Sequence, residues 1–589
     1  MKTNNIFIVG LLILLFASCD LDLISPSDMV KENFWKTEND AWYALNSCYS
    51  GLPSFSAGMI DEMTTDNAHS HKPWEGPMEI IQGGSITAAN GFGGYGYSLI
   101  RKANNFIENV DNCDMSDDLK ERMKGEARFF RSLQYLNMVI KFGRVPLVTD
   151  VLEYDAPLLE RTDLDKLHAY ILDELEEISE ILPASYPGGK MYETGRISKG
   201  AALSLRARAA LYFKNYEEAE KSANAVIALN KYDLFKVTSL TDEQQKGMDE
   251  LESLIDFGSV GIDKETFGLG LYSYEALWQG KNGSTKNPEY ILTREYMNDK
   301  NYVDWARYQY VRPSQLVRGY SSYEPMQDLV DAYWDIDGKT LREKIAPETR
   351  AEYFATINKE VDGMDQKAYI ETVPTLDLAS YRYMDEFKNR DSRLYASILI
   401  PFLGWHVTDF GNSFYYRWDP KKSGNDGNES WSGYSWRKMV ATHGYDAGSE
   451  NHAMDDFPLI RYAEVLLIAA EAHIQNKGYD ATAQKHLNEL RNRAGMPNVP
   501  SSFASTDEAL DFLRNERRIE LAGEGHRYPD MRRYGNEYAK KAMSGITYAP
   551  NMDILVSKDW SDYLMLMPIP QFAIDLNPLL GKDQNPGYN

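Results

Sequence analysis

The chain has 589 residues and a formal net charge of −25, with 88 acidic side chains against 63 basic ones. Nucleic-acid binding requires a basic surface that meets phosphate groups, so this charge balance argues against that function. The length is sufficient for a large hydrophobic core and for two or more domains. Aromatic residues form 12% of the chain, and Tyr and Trp in loops indicate a surface that stacks on a ligand.

The N-terminus has the three parts of a secretory signal: the basic Lys2, an apolar run from Ile6 to Ala17, and small residues before a cleavage point. A membrane-spanning helix needs about 20 apolar residues, so this run is too short to span a bilayer. Cys19 directly follows the small residues, which resembles a bacterial lipoprotein signal in which the cysteine is lipidated. We therefore predict a signal peptide over residues 1–18 and a lipid anchor at Cys19. The alternative is an ordinary signal peptide followed by an incidental cysteine.

Two long amphipathic helices are predicted in the first half of the chain. Residues 119–143 carry apolar side chains such as Met123, Ala127 and Phe130, spaced three to four apart on one helix face. Residues 163–183 repeat this spacing, and Pro183 ends the pattern.

A tetratricopeptide-like helix pair is predicted over residues 201–229. Small residues such as Ala207 and Ala219 let two helices approach closely, and the stretch KNYEEA forms the turn between them. A similar pattern returns in residues 463–495. The predicted fold class is therefore mostly α, with tetratricopeptide-like helix pairs packed against a loop-rich, irregular region that contains a few short strands.

The composition changes between about residues 236 and 450, where Gly, Asn, Asp, Tyr and Trp dominate and helical periods are short. The stretch NPEYILTREY has alternating apolar residues, which predicts a short strand. Long loops inside a folded chain are usually functional, so this region is the candidate ligand-binding part.

Several stretches resemble, in this order, the SusD/RagB family of outer-membrane nutrient-binding lipoproteins. They are ENFWKTENDAWYALNSCY, TTDN, GEARFFRSLQYLNMVIKFGRVPLV, GRISKGAALSLRARAALY, FPLIRYAEVLLIAAEA, LNELRNRAG, NERRIELAGEGHRYPDMRRYG, MLMPIPQFAIDLNPLL and QNPGY. The ordered set runs from Cys19 to Tyr588. The resemblance implies an N-terminal SusD-like helical region over 19–235 and a C-terminal RagB/SusD region over 236–589, with the ligand-binding part at about 236–450.

The motif NERRIELAGEGHRYPDMRRYG combines arginines with carboxylates. Its charged residues are Arg517, Arg518, Arg527, Arg532, Arg533, Glu516, Glu520, Glu524 and Asp530. Arginine pairs bidentately with carboxylates, so we predict a salt-bridge network that orders helix ends and a turn containing Gly523 and Gly525. A catalytic carboxylate pair, as in glycosidases, is the alternative. The arginines favour the network, because they lower carboxylate pKa values instead of raising one for acid catalysis.

The resemblance also implies a function. Proteins of this family bind a nutrient, usually an oligosaccharide, on an aromatic arc, and their tetratricopeptide helices mainly contact a TonB-dependent transporter of the SusC type. We therefore expect a non-enzymatic, lipid-anchored protein at the cell surface of the outer membrane that binds glycans for nutrient import and uses no cofactor. Sugar suits aromatic loops, because a pyranose has an apolar face that stacks on Trp or Tyr, and its hydroxyls bind polar side chains.

Two loops supply the candidate ligand-binding residues. The stretch DNAHSHKPWEG places Trp74 in a polar loop, where a core tryptophan is unexpected. Residues 296–323 supply Trp305, Tyr308, Tyr310, Tyr320 and Tyr323. Trp431 and Trp436 in NDGNESWSGYSW are further candidates. For each of these aromatic residues the alternative is burial in the core.

No metal site is predicted. His69 and His71 lack a third ligand, and the Asp-rich turn at 335–338 lacks the rest of an EF-hand loop. Whether Cys48 and Cys113 form a disulfide is not determined by the sequence.

Three alternative functions remain open at the level of sequence. Some members of the resembled family deliver peptides with the same architecture. A secreted glycosidase is a second alternative, although no nucleophile or acid motif indicates it. A ligand-free tetratricopeptide scaffold is a third, in which the loop of Trp305 is buried or packed against another protein.

Overall fold

The computed structural model describes residues 34–70, 72–90, 92–186, 193, 195–279, 283, 287–296, 310–316, 319–406, 414–421, 429–440 and 455–588. The predictions on Cys19, His71, Trp305 and Tyr308 fall outside these residues. Within the described part, no helix combines the length and apolar character needed to cross a membrane.

Helices dominate the described part of the chain. The first group is α1 (Glu38–Tyr49), α2 (Phe55–Glu62), α3 (Met78–Gln82), α4 (Ser98–Asn109), α5 (Asp117–Phe142), α6 (Leu164–Ile181), α7 (Lys199–Tyr212) and α8 (Tyr216–Ala228). The second group is α9 (Asp242–Leu251), α10 (Phe257–Val260), α11 (Lys264–Ala276), α12 (Gln327–Val330), α13 (Pro347–Asn358), α14 (Gln366–Thr372) and α15 (Ser392–Ser397). The third group is α16 (Tyr462–Lys477), α17 (Ala481–Arg493), α18 (Thr506–Glu520), α19 (Arg527–Tyr534), α20 (Asn536–Ala542), α21 (Gln571–Leu576) and α22 (Pro578–Lys582).

The described strands are short. They are β1 (Ala68–His69), β2 (Tyr290–Arg294), β3 (Glu324–Pro325), β4 (Ile398–Leu399), β5 (Gly404–Trp405), β6 (Phe414–Tyr415), β7 (Ser435–Trp436), β8 (Phe457–Arg461), β9 (Gly545–Tyr548) and β10 (Ile554–Lys558). They form antiparallel pairs, β1 with β3, β2 with β8, β4 with β7, β5 with β6, and β9 with β10. Strand β2 lies in NPEYILTREY and confirms the strand predicted there.

The two long predicted helices are confirmed as α5 and α6. On α5 the predicted apolar positions Met123, Ala127 and Phe130 are all fully buried. Helix α6 ends two residues before Pro183, which cannot supply the backbone N–H that a longer helix requires.

The tetratricopeptide-like pairs are also confirmed and form one stack. Helix α7 packs on α8, and α16 packs on α17, with α8 directly against α16. Ala207 and Ala219 are fully buried, as close helix packing requires. The mostly α fold class predicted from the sequence is therefore confirmed, and the C-terminal helices complete the helical stack begun in the first half.

One hydrophobic core joins the regions before and after residue 235. It extends from Cys48 to Leu580, while a smaller cluster around Trp35 and Phe106 contains Cys113. Both cysteines are free thiols. Burial raises the pKa of the Cys48 thiol to about 12, so this group is unreactive at neutral pH.

The predicted arginine–carboxylate network is confirmed for four of its five arginines. The exception is Arg532, which donates to the backbone carbonyls of Leu564 and Tyr528. Arg517 Nε lies 2.7 Å from Asp530, and Arg533 Nε lies 2.8 Å from the same carboxylate. Arg461 on β8 extends the network, with ion pairs of 2.8 Å to both Glu520 and Glu524. The network therefore connects β8, α18 and α19 inside the protein.

The charged partners keep the network carboxylates ionised. Burial alone would raise the pKa of Asp530, but the guanidinium groups of Arg517 and Arg533 outweigh it and lower the pKa to about 2. The pKa of Glu524 is lowered to about 2 in the same way, by the charges of Arg461 and Lys438. Carboxylates with such low pKa values hold no proton at neutral pH, so these groups do not suit a general acid.

The turn between α18 and α19 uses the two predicted glycines. Gly523 and Gly525 have φ values of +80° and +83°, a region that favours glycine. Their N–H groups donate to the carboxylate of Glu62 at 3.0 and 3.1 Å. A Cβ atom at Gly525 would lie only 2.8 Å from the Cα atom of Gly58 on α2. The turn is therefore fixed against the C-terminal end of α2.

Candidate ligand-binding site

The site is built on the turn that follows α2. Asp66 lies 2.7 Å from Arg527 Nε and 3.0 Å from Arg518 Nη2, and all three side chains are largely buried. Arg518 Nε also donates to the side chain of Asn67 at 2.7 Å. Two sequence motifs at opposite ends of the chain, TTDN and NERRIELAGEGHRYPDMRRYG, thus hold each other in place.

The short pair of β1 and β3 brings two candidate loops together. In its register, Ala68 lies opposite Pro325 and His69 lies opposite Glu324. Strand β1 leads into the turn of Trp74, while β3 directly follows the tyrosines of residues 310–323. The two loops are far apart in sequence and become neighbours through this pairing.

Trp74 is displayed on the surface. It lies in the single turn Pro73–Glu75, and 74% of its side chain is exposed. Pro73 fixes the backbone at the start of the turn, and Ser70 Oγ donates a hydrogen bond to Glu75 at its end. Lys72 Nζ lies 5.5 Å from the centroid of the indole ring. One face of an exposed, supported ring is thus available for stacking.

The tyrosines next to this turn differ in exposure. The ring centroid of Tyr310 lies 6.1 Å from that of Tyr320 and 4.9 Å from that of Tyr323. Tyr310 and Tyr320 are half-buried. Burial raises the pKa of Tyr310, and the carboxylate of Glu75 in the Trp74 turn adds to this rise. The pairing of β1 with β3 is what brings the loop of these tyrosines towards that turn. Together, Trp74, Tyr310 and Tyr320 form what we call the aromatic platform.

Two sequence candidates lie in the core instead. Tyr323 is 2% exposed and packs beneath Tyr310, so in this conformation it supports the platform and offers no face to a ligand. Trp436 is fully buried on β7. Trp431 is half-buried and packs against Met326 and Leu555. The core alternative therefore applies to Tyr323, whose backbone N–H donates to the carbonyl of Tyr310, and to Trp436, which lies in the β4–β7 pair.

Two buried glutamates that the sequence analysis did not single out hold the tyrosine loop. Glu324 Oε2 accepts hydrogen bonds from the Ser430 hydroxyl at 2.6 Å and from the backbone N–H groups of Trp431 and Ser432 at 2.6 and 2.7 Å. The sequence signal for this role is weak: in SSYEP and in NESWSG a single glutamate stands among Ser and aromatic residues.

Glu429 is the second of these glutamates. It is 3% exposed and accepts hydrogen bonds at 3.1 Å from Ser314 Oγ and from Gln315 Nε2. Burial raises its pKa to about 8, and the carboxylate of Asp419 adds to this rise. The loop after Tyr310 is therefore held by a carboxyl group that binds a proton at neutral pH.

His69, Asp335 and Asp337, which were considered as metal ligands, have other partners. His69 Nδ1 lies 2.8 Å from Gln82 Oε1 inside the protein. Asp335 lies 2.9 Å from Arg342 Nη2, and Asp337 accepts the N–H of Thr340 at 2.9 Å to close its turn. Across the described ranges, no group of three or more His, Cys, Asp or Glu residues is arranged to hold a metal ion.

Comparison with known proteins agrees with this architecture. The sequence model of the SusD family matches residues 288–588, and a second model, described as starch-binding and associating with the outer membrane, matches residues 39–211. The chain is 23% identical to SusD-like protein P2 of Formosa agariphila, over 100% of both chains. It is 24% identical to the starch-binding protein SusD of Bacteroides thetaiotaomicron, over 83% of this chain and 76% of that protein.

A solved structure shows the same fold. A SusD-like carbohydrate binding protein from Bacteroides fragilis superposes with a TM-score of 0.71 at 23% identity, covering 93% of this chain and 99% of that one. The match of the SusD family model alone covers more than half of the sequence. The chain therefore belongs to the SusD family.

Proposed function

We propose that this protein captures glycans at the surface of the outer membrane and passes them to a TonB-dependent transporter of the SusC type. The observation that carries the proposal is the aromatic platform, in which Trp74 is exposed and Tyr310 lies next to Tyr320, on two loops that the β1–β3 pair brings together. Buried ion pairs of Asp66 with Arg518 and Arg527 hold the segment that leads through β1 to the Trp74 turn. Pre-ordered aromatic surfaces of this kind bind at a low cost in conformational entropy.

Sugar is the ligand class that fits the platform best. The apolar face of a pyranose stacks on an indole or phenol ring, and polar groups at the ring edge bind its hydroxyls. At roughly 25 cal/mol per Å² of buried apolar area, a few stacked rings give weak binding, which suits a protein that must release its cargo. The names of the starch-binding and carbohydrate-binding relatives support the same assignment.

Attachment to the membrane is proposed from the sequence. Cys19 follows a lipoprotein-like signal, and several acyl chains on one cysteine would hold a protein firmly at a bilayer. The description of the second family model, association with the outer membrane, supports this location. The stack of α7, α8, α16 and α17 is the surface that we expect to meet the transporter.

A binding role without catalysis follows from the same reasoning. The carboxylates of the C-terminal motif are ionised and engaged by arginines, as Asp530 and Glu524 illustrate. A retaining or inverting glycosidase needs a protonated carboxyl group opposite a second carboxylate. Two of the relatives described above, the starch-binding protein and the carbohydrate binding protein, also carry names of binding proteins.

The experiment is electrophoresis of the purified chain from Asp20 onward on native gels that contain starch, laminarin, xyloglucan, galactomannan, alginate or polygalacturonate. We expect at least one glycan to retard the protein without release of smaller sugars. Trp74→Ala should abolish most of the retardation, whereas the matched variant Tyr43→Ala, which removes another exposed aromatic side chain on α1, should not. Release of sugars would indicate a glycosidase, and absence of retardation on every gel would contradict glycan capture.

A further inference from the structure

A cleft of about 470 Å³ opens beside the aromatic platform. Its walls come from α2, the C-terminal half of α5, the end of α7, β8 and the turn before α19. This volume lies within the range of roughly 300–1,000 Å³ that is common for small-molecule sites. Glu75, Gly76 and Pro77 line its rim, so the cleft begins one residue after Trp74.

One wall of the cleft is polar. Gln134, Asn137 and Lys141 lie on the same face of α5, three and four residues apart, and all three are partly exposed. Gln134 Nε2 donates to the carbonyl of Gly96 at 2.8 Å, which ties the neighbouring segment to the helix. Asn137 lies at the centre of this polar face, and its amide has no hydrogen bond to any described residue. Its donors and acceptor are free for a ligand.

The facing wall is apolar. Ile60 on α2 and Leu459 on β8 are partly exposed there, beside the buried ring of Phe457. A sugar residue presents one face of C–H groups and an edge of hydroxyls, so a cleft with one apolar and one amide-bearing wall matches it.

The cationic groups of the cleft are paired with carboxylates of the protein. Lys141 Nζ lies 2.6 Å from Asp61, and Arg208 Nη2 lies 2.6 Å from Glu464. Among the described lining residues, every lysine and arginine thus has a carboxylate partner. An anionic sugar would have to compete with Asp61 or Glu464, and it would enter a protein of net charge −25. The cleft therefore suits an uncharged ligand.

We propose that this cleft is a second subsite of the glycan site. It binds one uncharged sugar residue of the glycan, with Asn137 as the main polar contact, while the neighbouring sugar residue stacks on Trp74. The inference rests on the proposed glycan capture and narrows its cargo to neutral glycans. It also requires a ligand of at least two sugar residues, because one residue stacks on the platform while another lies in the cleft.

Two variants test the cleft without touching the platform. Asn137→Leu removes the amide at nearly constant size on a partly exposed helix face. Gly93→Leu narrows the opening without adding an aromatic ring, and a Cβ atom there meets no heavy atom within 4 Å. Asn492→Leu is the matched control, because Asn492 is an exposed helical asparagine on α17 and is not part of the cleft lining. Thermal melting of each variant verifies that it is folded.

The measurement is affinity electrophoresis in the neutral starch, laminarin, xyloglucan and galactomannan and in the anionic alginate and polygalacturonate. We expect binding to a neutral glycan that weakens about five- to tenfold in Asn137→Leu and in Gly93→Leu, with Asn492→Leu unchanged. Wild-type affinity in both cleft variants, with weakened binding in Trp74→Ala, would overturn the cleft subsite and leave glycan capture intact. Binding to the anionic glycans alone would overturn the neutral cargo. If wild type binds none of the six, glycan capture and this inference both fail.

Discussion

His69 and Glu324 lie opposite each other in the register of β1 and β3, and both side chains are buried. His69 is held by Gln82, while Glu324 accepts three hydrogen bonds from the 430–432 segment. A pair of two-residue strands contributes little by itself, since even isolated hairpins are marginal in water. These side-chain contacts therefore stabilise the junction that sets the Trp74 turn beside the tyrosines.

Two tyrosines of one loop should respond differently to truncation. Tyr323→Ala removes a core side chain and should lower the free energy of unfolding by about 3 kcal/mol or more. Tyr320→Ala removes a half-buried ring of the platform and should instead weaken glycan retardation by about fivefold, with little change in melting temperature. Thermal melting and affinity electrophoresis of both variants provide the check. An equal loss of stability in the two would contradict the assignment of Tyr323 to the core and of Tyr320 to the platform.

The base of the platform should depend on Asp66. Asp66→Asn leaves two buried guanidinium groups, those of Arg518 and Arg527, without their carboxylate, and breaking buried pairs typically costs about 3–5 kcal/mol. Chemical denaturation should show this loss.

The matched control for Asp66→Asn is Asp362→Asn. It breaks the surface ion pair of Asp362 with Lys421 at 2.6 Å. Exposed pairs contribute little, so no measurable change in stability is expected. A similar loss of unfolding free energy in both variants would show that the stabilisation by Asp66 does not depend on burial of its ion pairs.

Stability should fall steeply at acid pH. The carboxyl groups of Glu516, Glu524 and Asp530 have pKa values of about 2 in the folded protein, against ordinary values of 4.5 for Glu and 3.8 for Asp. The unfolded chain therefore takes up protons first, and the stabilisation present above about pH 4.5 is lost progressively towards pH 2. Circular dichroism melts from pH 7 to pH 2 measure this, and a melting temperature that is constant over that range would contradict it.

Glu429 should act in the opposite pH range. Its pKa rises from 4.5 to about 8 on folding, so its contribution to stability is complete below about pH 4.5 and is lost as the pH rises through about 8. Glu429→Gln keeps an acceptor for Ser314 and Gln315 without a titrating charge. The variant should therefore melt a few degrees above wild type at pH 9 but not at pH 5. The same difference in melting temperature between variant and wild type at pH 5 and at pH 9 would contradict this role.

The predicted anchor is tested in cells. Cys19→Ala removes the only thiol that the lipoprotein-like signal offers for lipidation. We expect the variant to move from the outer-membrane fraction to the soluble fraction, with unchanged glycan binding after purification. Retention in the membrane fraction would show that another contact holds the protein there.

The sequence by itself determined the features that depend on local spacing. The repeats of apolar residues in α5 and α6, the small residues of the tetratricopeptide-like pairs and the arginine–carboxylate motif each follow from residues a few positions apart. Helix periodicity is a local property, so these elements and their buried faces could be predicted. The family resemblance added the expectation of a ligand and of a partner.

Only the tertiary structure decided which aromatic residues reach the surface. Tyr320 and Tyr323 share one loop and one chemistry, yet the first is half-buried and the second lies in the core. In an irregular loop no periodicity relates position to burial, because burial is set by contacts with distant segments. The pairing of β1 with β3 and the ion pairs of Asp66 with the C-terminal arginines are such contacts. They are made between parts of the chain whose proximity exists only in the folded protein.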